Sequence, residues 1–203
     1  MLTVVDYGAG NIGNLIRAVN ATGRDATAAR SPDELSPSTR MLLLPGVGAF
    51  GPAVQRLEAS GWSAVIKNWA ARDLPVAGIC LGMQLLGEGS SEHGSFRGLG
   101  LIPMKAGILQ NTPRLPHTGW NRVDWRPCNP GGPAYGLEPD FFYFVHSFAF
   151  PTGPCTMACT RFGDTSFSSA VIRGSVMGFQ FHPERSGPAG LSLLETCFRK
   201  LGV

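Results

Sequence analysis

The sequence predicts an α/β protein in which a mostly parallel sheet is flanked by helices, with a second half rich in strands. Short apolar runs such as Leu2–Val5 and Met41–Leu44 alternate with segments whose apolar residues recur at helical spacing. This alternation is typical of parallel strands covered on both faces. Hydrophobic residues make up 43% of the 203 residues and charged residues only 15%, which excludes a disordered chain. We expect a single domain over residues 1–203.

The pattern of apolar residues in the first hundred positions predicts three strands that alternate with three helices. A helix follows the strand Leu2–Val5 and ends near Gly23. The strand Met41–Leu44 stops at a Pro-Gly pair, and a buried strand at 75–79 runs directly into a helix at Leu81–Leu86. The apolar faces of the first two helices consist of Ile12, Leu15, Ile16 and Val19, and of Trp62, Val65, Ile66 and Trp69.

Strand signals dominate beyond residue 100. Runs of β-branched and aromatic residues predict strands at 119–125, 141–150, 156–162, 168–172 and 176–181. The Pro- and Gly-rich stretch at 127–133 predicts a surface loop. The chain closes with an amphipathic helix whose apolar face consists of Leu191, Leu194, Phe198 and Leu201.

Charge, hydropathy and cysteine spacing exclude several classes of function. A net charge of +3 without a run of Lys or Arg argues against nucleic-acid binding. No apolar stretch is long enough to span a membrane, and the start of the chain does not resemble a signal peptide. Five scattered cysteines predict a reduced, cytoplasmic protein without a disulfide framework. Cys155 and Cys159 have no second pair or histidine at ligand spacing, so we expect no metal.

A G-x-G-x-x-G pattern from Gly8 to Gly13 follows the first strand. A dinucleotide site also requires an acidic residue at the end of the second strand, and neither Asp25 nor Asp33 stands at that place. The pattern therefore predicts a glycine-rich strand-to-helix turn.

Cys80 stands in a G-x-C-x-G sequence between a predicted buried strand and a predicted helix. This context indicates a nucleophile elbow, a strained turn whose flanking glycines leave room for the nucleophile. A helix N-terminus beside the sulfur favours the reactive thiolate. A buried structural cysteine is the alternative interpretation.

His182 and Glu184 supply the base that such a thiol requires. Pro183 biases His182 toward an extended conformation, in which the side chains of residues i and i+2 lie on one side. A carboxylate, an imidazole and a thiol form a nucleophilic triad whatever their order in the chain. For His182 taken alone, the alternative is a histidine at a strand end whose hydrogen bonds are satisfied; together with the elbow, the triad is favoured.

The glycine-rich segment 45–51 leaves the carboxyl end of a predicted parallel strand, where ligands of open α/β sheets bind. Its small residues would let the N–H groups of Val47 and Gly48 approach a developing oxyanion. The N–H of Leu81, directly after the nucleophile, is the expected second donor.

These residues together resemble the class I (triad) glutamine amidotransferases. Gly78-Ile-Cys-Leu-Gly-Met-Gln84 is similar to the nucleophile motif of that family, and Phe181-His-Pro-Glu184 to its His-Pro-Glu motif. Further similar segments run in order along the chain. Within the family, Gly119-Trp-Asn121 and Val145-His-Ser147 resemble the glutaminase subunits of histidine biosynthesis. The segments that carry the resemblance are 6–11, 45–50, 116–121, 143–147 and 182–187.

The resemblance implies hydrolysis of glutamine to glutamate and ammonia. Cys80 would be the nucleophile, His182 the acid and base, and Glu184 the group that orients the imidazole. No cofactor is expected, and the ammonia would pass to a (β/α)8-barrel cyclase in a heterodimer. The implied substrate-binding residues are Gly48, Gln84, Glu92, Ser147 and Phe148. The residues implied to face the cyclase are Gly8, Asn11, Asn14, Trp120 and Arg185.

Three positions depart from the family pattern. Thr118 stands where methionine is expected, Phe148 where tyrosine is usual, and Arg185 where lysine is common. Thr118 and Arg185 bear on partner contacts, because Arg and Lys are not interchangeable at a tight contact.

Three rival functions remain open. The chain could be a glutaminase for another synthase, a non-catalytic interaction subunit of the same fold, or a cysteine peptidase on the same scaffold. The Gly-Trp-Asn segment and the chain length favour the histidine pathway over other synthases. Retention of Cys80, His182 and Glu184 argues against a non-catalytic subunit.

Overall fold

The computed structural model describes residues 1–125 and 137–203, so the predicted loop at 127–133 lies outside the described residues. The helices are α1 (Ile12–Ala21), α2 (Phe50–Ala59), α3 (Trp62–Ala71), α4 (Leu81–Leu86) and α5 (Gly187–Lys200). The strands are β1 (Leu2–Val5), β2 (Ala26–Ala29), β3 (Met41–Leu44), β4 (Val76–Ile79), β5 (Gly89–Ser90), β6 (Phe96–Arg97), β7 (Lys105–Ile108), β8 (His117–Val123), β9 (Asp140–His146), β10 (Phe148–Ala149), β11 (Thr156–Phe162), β12 (Thr165–Arg173) and β13 (Val176–Phe179).

A seven-stranded sheet in the order β11-β12-β13-β4-β3-β1-β2 forms the centre of the fold. The five strands from β13 to β2 are parallel, while β12 and β11 continue the sheet antiparallel. Since parallel strands end at the same edge, the segments that follow β1, β3, β4 and β13 meet there. The predicted fold class, a mostly parallel sheet flanked by helices with a strand-rich second half, is confirmed.

Two hydrophobic cores fill the two faces of this sheet. Successive residues of a strand point to opposite faces, and Leu42 and Leu43 of β3 accordingly belong to different cores. The core that contains Leu43 includes residues of α1 and α5, such as Leu15. The core that contains Leu42 includes residues of α2 and α3, such as Trp62.

Two smaller sheets lie beside the main one. One has the order β10-β7-β5-β6, and the other is the antiparallel hairpin of β8 and β9, which pairs His117 with His146. The strand predicted at 141–150 is divided between β9 and β10, with Ser147 between them. Neither α2 nor the β5–β7 pairing was predicted, because Gly51 and Pro52 indicate a turn and the small strands have only two to four residues.

The structure also bears on the state of the cysteines, on membrane-spanning helices and on metal-binding clusters. Cys80, Cys155 and Cys197 carry free thiols, but Cys159 is disulfide-bonded, so the expectation of a chain without disulfides is wrong at Cys159. None of the helices in residues 1–125 and 137–203 has the length and hydropathy that a bilayer span requires. Within the same ranges, no cluster of three His, Cys, Asp or Glu side chains could hold a metal ion.

Candidate active site

Cys80 occupies the sharp turn between β4 and α4, with φ 54° and ψ −112°. A positive φ is rare for a residue with a side chain. The turn is possible because Gly78 and Gly82, two positions before and after Cys80, have no side chain. A Cβ on Gly82 would lie 1.8 Å from the carbonyl oxygen of Leu44, and a Cβ on Gly78 would lie 2.6 Å from the backbone of Gly82. The strand-turn-helix geometry predicted from G-x-C-x-G is therefore present.

His182 and Glu184 form a buried pair beside this turn. Nδ1 of His182 lies 2.8 Å from Oε1 of Glu184, and each side chain is only 5% exposed. Nε2 of His182 is buried and has no hydrogen-bond partner among the described residues. Burial alone lowers the pKa of His182, but the Cys80 sulfur and the Glu184 carboxylate outweigh it and raise the pKa to about 10. The imidazole is thus held protonated, with one N–H directed to Glu184.

The backbone around His182 differs in part from the expectation. His182 is extended, with φ −103° and ψ 94°, but Glu184 lies in a 3₁₀ turn at Pro183–Arg185. The amide of His182 donates to the carbonyl of Tyr143 in β9 over 2.9 Å. The hydroxyl of Ser186 donates to the carbonyl of His182 over 2.6 Å. The turn, rather than a continuous strand, brings the carboxylate to the imidazole.

The loop after β3 lies against the nucleophile turn. A Cβ on Gly46 would lie 2.8 Å from the amide nitrogen of Gly82, so only glycine permits this approach. The hydroxyl of Tyr7 donates to the carbonyl of Pro45 over 2.8 Å. Burial, and to a lesser extent the Cys80 charge, raises the pKa of Tyr7 and keeps its hydroxyl a donor. Gly48 has φ +95°, the region that favours glycine.

A cavity of about 150 Å³ opens beside Cys80. This volume is below the range of drug-sized pockets and suits a small molecule. The five predicted substrate-binding residues all line it, as do Val47 and Leu81, whereas His182 does not. Its lining residues are Val47, Gly48, Cys80, Leu81, Gln84, Glu92, Val145, His146, Ser147 and Phe148.

Glu92 and Gln84 are each fixed by contacts across the cavity. A carboxylate oxygen of Glu92 accepts a 2.7 Å hydrogen bond from the amide of Phe50, the first residue of α2. Nε2 of Gln84 donates to the carbonyl of Phe148 over 2.9 Å and to Oε1 of Gln180 over 3.0 Å. Because these polar side chains are held in place, the wall of the cavity is formed before any ligand binds.

Two polar residues of the site were not predicted from the amino-acid sequence. His146 lines the cavity, and Gln180 is fully buried with Nε2 3.8 Å from the sulfur of Cys80. A signal for Gln180 was available: it stands two positions before His182 at the end of a predicted buried strand. His146 lacked such a signal, because its place depends on how β9 pairs with β8.

The residues predicted to face a partner are Gly8, Asn11, Asn14, Trp120 and Arg185. Trp120 is 57% exposed, and its ring meets the ring of Tyr143 edge-on with centroids 6.3 Å apart. The guanidinium of exposed Arg185 lies 4.2 Å from the centroid of the same tyrosine. Asn11 is exposed and caps α1 by accepting from the amide of Asn14, while Gly8 is exposed and Asn14 half-buried.

A parallel sheet, a cysteine at a strand-to-helix turn and a buried His–Glu pair beside it are the features of a triad glutamine amidotransferase. The comparison with known families gives the same class. The family model described as "Glutamine amidotransferase class-I" matches residues 3–201. The chain belongs to this family of enzymes.

Three relatives are more specific. A protein of Carboxydothermus hydrogenoformans named "Imidazole glycerol phosphate synthase subunit HisH" is 39% identical over 197 residues, 96% of this chain and 97% of that protein. The protein of the same name from Aquifex aeolicus is 38% identical over 97% of this chain and 95% of its own length. "Imidazole glycerol phosphate synthase hisHF" of Emericella nidulans is 38% identical over 94% of this chain but only 36% of its own length.

Solved structures agree on the fold. The structure entitled "Crystal structure of glutamine amidotransferase" superposes with a TM-score of 0.78 over the full length of both chains at 18% identity. A chain of "Structure of PurLQS from Thermotoga maritima" gives 0.74 over 98% of each chain, also at 18% identity. At these identities the likeness concerns the fold alone.

Proposed function

We propose that this chain is the glutaminase subunit of an imidazole glycerol phosphate synthase and that it hydrolyses glutamine through Cys80, His182 and Glu184. One observation carries the proposal: Cys80 stands at a strained turn on the wall of a small cavity that also contains polar side chains, next to a buried His–Glu pair. The names of relatives 38–39% identical over nearly the whole chain support the choice of synthase.

The first half of the reaction forms a thioester. The Cys80 thiolate attacks the side-chain amide carbon of glutamine, and the carbonyl oxygen becomes an oxyanion. Imidazolium of His182 then gives its proton to the leaving nitrogen, and the C–N bond breaks to release ammonia. The pKa of His182, raised to about 10, supports a protonated imidazole at neutral pH.

The second half regenerates the enzyme. His182, now neutral, removes a proton from water, and the resulting hydroxide attacks the thioester carbon. The C–S bond breaks, glutamate leaves, and the thiolate and imidazolium are restored. Glu184 holds the Nδ1 proton throughout, which directs Nε2 to the reaction.

Backbone N–H groups of Val47, Gly48 and Leu81 are our candidates for the oxyanion donors. All three residues line the cavity beside Cys80. One such donor is worth roughly 3 kcal/mol of transition-state stabilisation in enzymes where it has been removed.

We assign the ammonia to a (β/α)8-barrel cyclase that binds this chain as a heterodimer. The cyclase would use the ammonia to make imidazole glycerol phosphate and an aminoimidazole carboxamide ribotide. The Emericella nidulans relative supports a close association, because the part that matches this chain is only 36% of a protein named for the same synthase. The exposed Trp120 and Arg185 are candidates for this contact.

Glutamate release from glutamine tests the proposal. The purified chain is assayed alone and then with a barrel cyclase and its nucleotide substrate, with Cys80→Ala as the control. We expect weak release alone, a steep rise in the mixture, and none in the control. Steady turnover without stimulation would contradict the partner, and no turnover under any condition would contradict the glutaminase.

A further inference from the structure

A single backbone carbonyl fixes the orientation of two side chains in the cavity wall. The carbonyl oxygen of Phe148 lies 2.9 Å from Nε2 of Gln84 and 2.9 Å from Nδ1 of His146. Because a carbonyl can only accept, both nitrogens must carry the hydrogen. This determines which end of the Gln84 amide faces Phe148 and which tautomer His146 adopts.

The orientation of the Gln84 amide determines the orientation of the Gln180 amide. Nε2 of Gln84 also lies 3.0 Å from the Gln180 amide, and since an amide nitrogen only donates, the atom facing it is Oε1 of Gln180. The other end of that amide, Nε2, is therefore directed to the sulfur of Cys80, 3.8 Å away. Gln180 is fully buried, so water does not compete for this position.

Two neutral histidines form a chain of hydrogen bonds that ends at the carbonyl of Phe148. Nε2 of His146 accepts from Nδ1 of His117 over 3.0 Å, and Nε2 of His117 accepts from Asn121 over 3.2 Å. Burial, together with the neighbouring His117, lowers the pKa of His146 to about 3. Burial, together with Arg114, lowers the pKa of His117 to about 4. Both rings stay neutral near pH 7, so the direction of the chain of hydrogen bonds is preserved.

We propose that Gln180 donates its side-chain N–H to the Cys80 sulfur and stabilises the thiolate, and that Gln84 and His146 are positioning residues that hold it in this orientation. The proposal deepens the glutaminase assignment and rests on it for its catalytic meaning. The thiol form of Cys80 has a carbonyl acceptor of its own, Val145, 3.9 Å from the sulfur. A hydrogen bond to a neutral thiol is weak, but to a thiolate it is charge-assisted. Gln180 therefore favours the ionised form.

Several titratable groups surround the same sulfur and must be kept constant in a test. His182 and Glu184 lie on one side, and the Tyr7 hydroxyl is close enough for its pKa to respond to the Cys80 charge. Glu92 and His146 lie on the cavity wall. Gln180 is uncharged, so replacing it changes the hydrogen bond without removing any of these groups.

The test measures alkylation of Cys80 by iodoacetamide from pH 5 to 9, followed on the Cys80 peptide by mass spectrometry. It needs neither glutamine nor a partner, so it is independent of the proposed reaction. Gln180→Met and Gln180→Leu both remove the N–H and add no charge beside the sulfur. We expect the pH midpoint of alkylation to rise by about one unit and the rate at pH 7 to fall about tenfold. The exposed Gln110→Leu serves as the matched control and should leave the midpoint unchanged.

Gln84→Met tests the positioning role, because it keeps the side-chain volume but releases the Gln180 amide. Its midpoint should move in the same direction, and the change should add nothing when Gln180→Leu is already present. An unchanged midpoint in folded Gln180 variants overturns the proposal, and fully additive shifts overturn the role of Gln84.

A measurement on the unaltered protein covers variants that fail to fold. The side-chain amide protons of Gln180, observed by NMR, should shift with pH at the alkylation midpoint, and the shift should vanish in Cys80→Ala. Amide protons that do not respond to pH would overturn the hydrogen bond. If alkylation behaves as expected but no glutamate is ever released, the proposed reaction fails while the hydrogen bond stands.

Discussion

The side chains of His182 and Glu184 are both buried, and Nδ1 of the imidazole lies 2.8 Å from Oε1 of the carboxylate. Because both side chains are shielded from water, a carboxylate at this distance from Nδ1 has a strong influence on whether the imidazole carries a charge. The pKa of His182 is raised even though burial opposes protonation. The folded state is therefore stabilised by this group below its unfolded pKa, near 6.5, and this contribution is lost as the pH rises toward 10.

Glu184→Gln should keep a hydrogen-bond acceptor at Nδ1 but remove the charge. The pKa of His182 then falls, and we expect glutamate release at pH 7.5 to drop by about 10²-fold or more. The pH profile of kcat/KM measures the change, with the exposed Glu195→Gln as the control. Equal activity of the two variants would show that the carboxylate charge is dispensable.

The β4–α4 turn depends on close packing of backbone against backbone. Gly78 and Gly82 are used there for space, since a methyl group on either would overlap main-chain atoms that cannot move aside. Gly13, in the first turn of α1, has open space around its Cβ position. The same substitution therefore has opposite consequences in the two helices.

Gly82→Ala should lower the free energy of unfolding by about 3 kcal/mol or more, because the new Cβ would lie 1.8 Å from the carbonyl of Leu44. Gly13→Ala should leave it equal or raise it by about 0.5 kcal/mol, since alanine favours the helix. Urea unfolding of both variants makes the comparison. A Gly82→Ala protein as stable as the unaltered chain would contradict the packing of this turn.

Acid stability is a property of the whole molecule, because it compares the folded with the unfolded chain. The folded pKa values of His117 and His146, about 4 and 3, lie below the value near 6.5 in an unfolded chain. Below pH 6.5 these two imidazoles bind protons in the unfolded chain but remain neutral in the folded chain. Stability from these two histidines is complete above pH 6.5 and is lost as the pH falls toward 3.

His117→Asn should therefore flatten the loss of stability between pH 6 and pH 5. Each neutral buried histidine contributes a slope of roughly 1.4 kcal/mol per pH unit in this interval. Urea unfolding at several pH values measures the slope. The exposed His93→Asn is the matched control, and its φ of 51° suits asparagine. Equal slopes in the two variants would contradict neutral burial of His117.

Association with a partner also concerns the whole molecule. Trp120 projects from β8 with 57% of its surface exposed, beside Tyr143 and Arg185. Exposed aromatic and arginine side chains are enriched among the residues that dominate binding energy. Trp120→Ala should weaken binding of a barrel cyclase by roughly 30-fold or more. Calorimetric titration measures this, and Ile108→Ala, also exposed, should bind normally.

Features that depend on residues close together in the chain could be predicted before the fold was known. The bounds of β1, β3, β11 and α4 agree with apolar runs and helical spacing, and Cys80 lies on the predicted turn. The pairing of His182 with Glu184 also followed from their spacing, although the backbone uses a 3₁₀ turn.

Contacts between segments that are distant in the chain are visible only in the folded protein. The start of α2 is bonded to Glu92, 42 residues further on, and Gln180 reaches Cys80 across 100 residues. Neutral burial of His117 and His146 likewise depends on the register of β8 against β9. Side-chain periodicity indicates which face of an element is buried, but not which element covers it. The triad could therefore be proposed from local motifs, while the hydrogen bonds that orient it appear only when the ends of parallel strands are brought together.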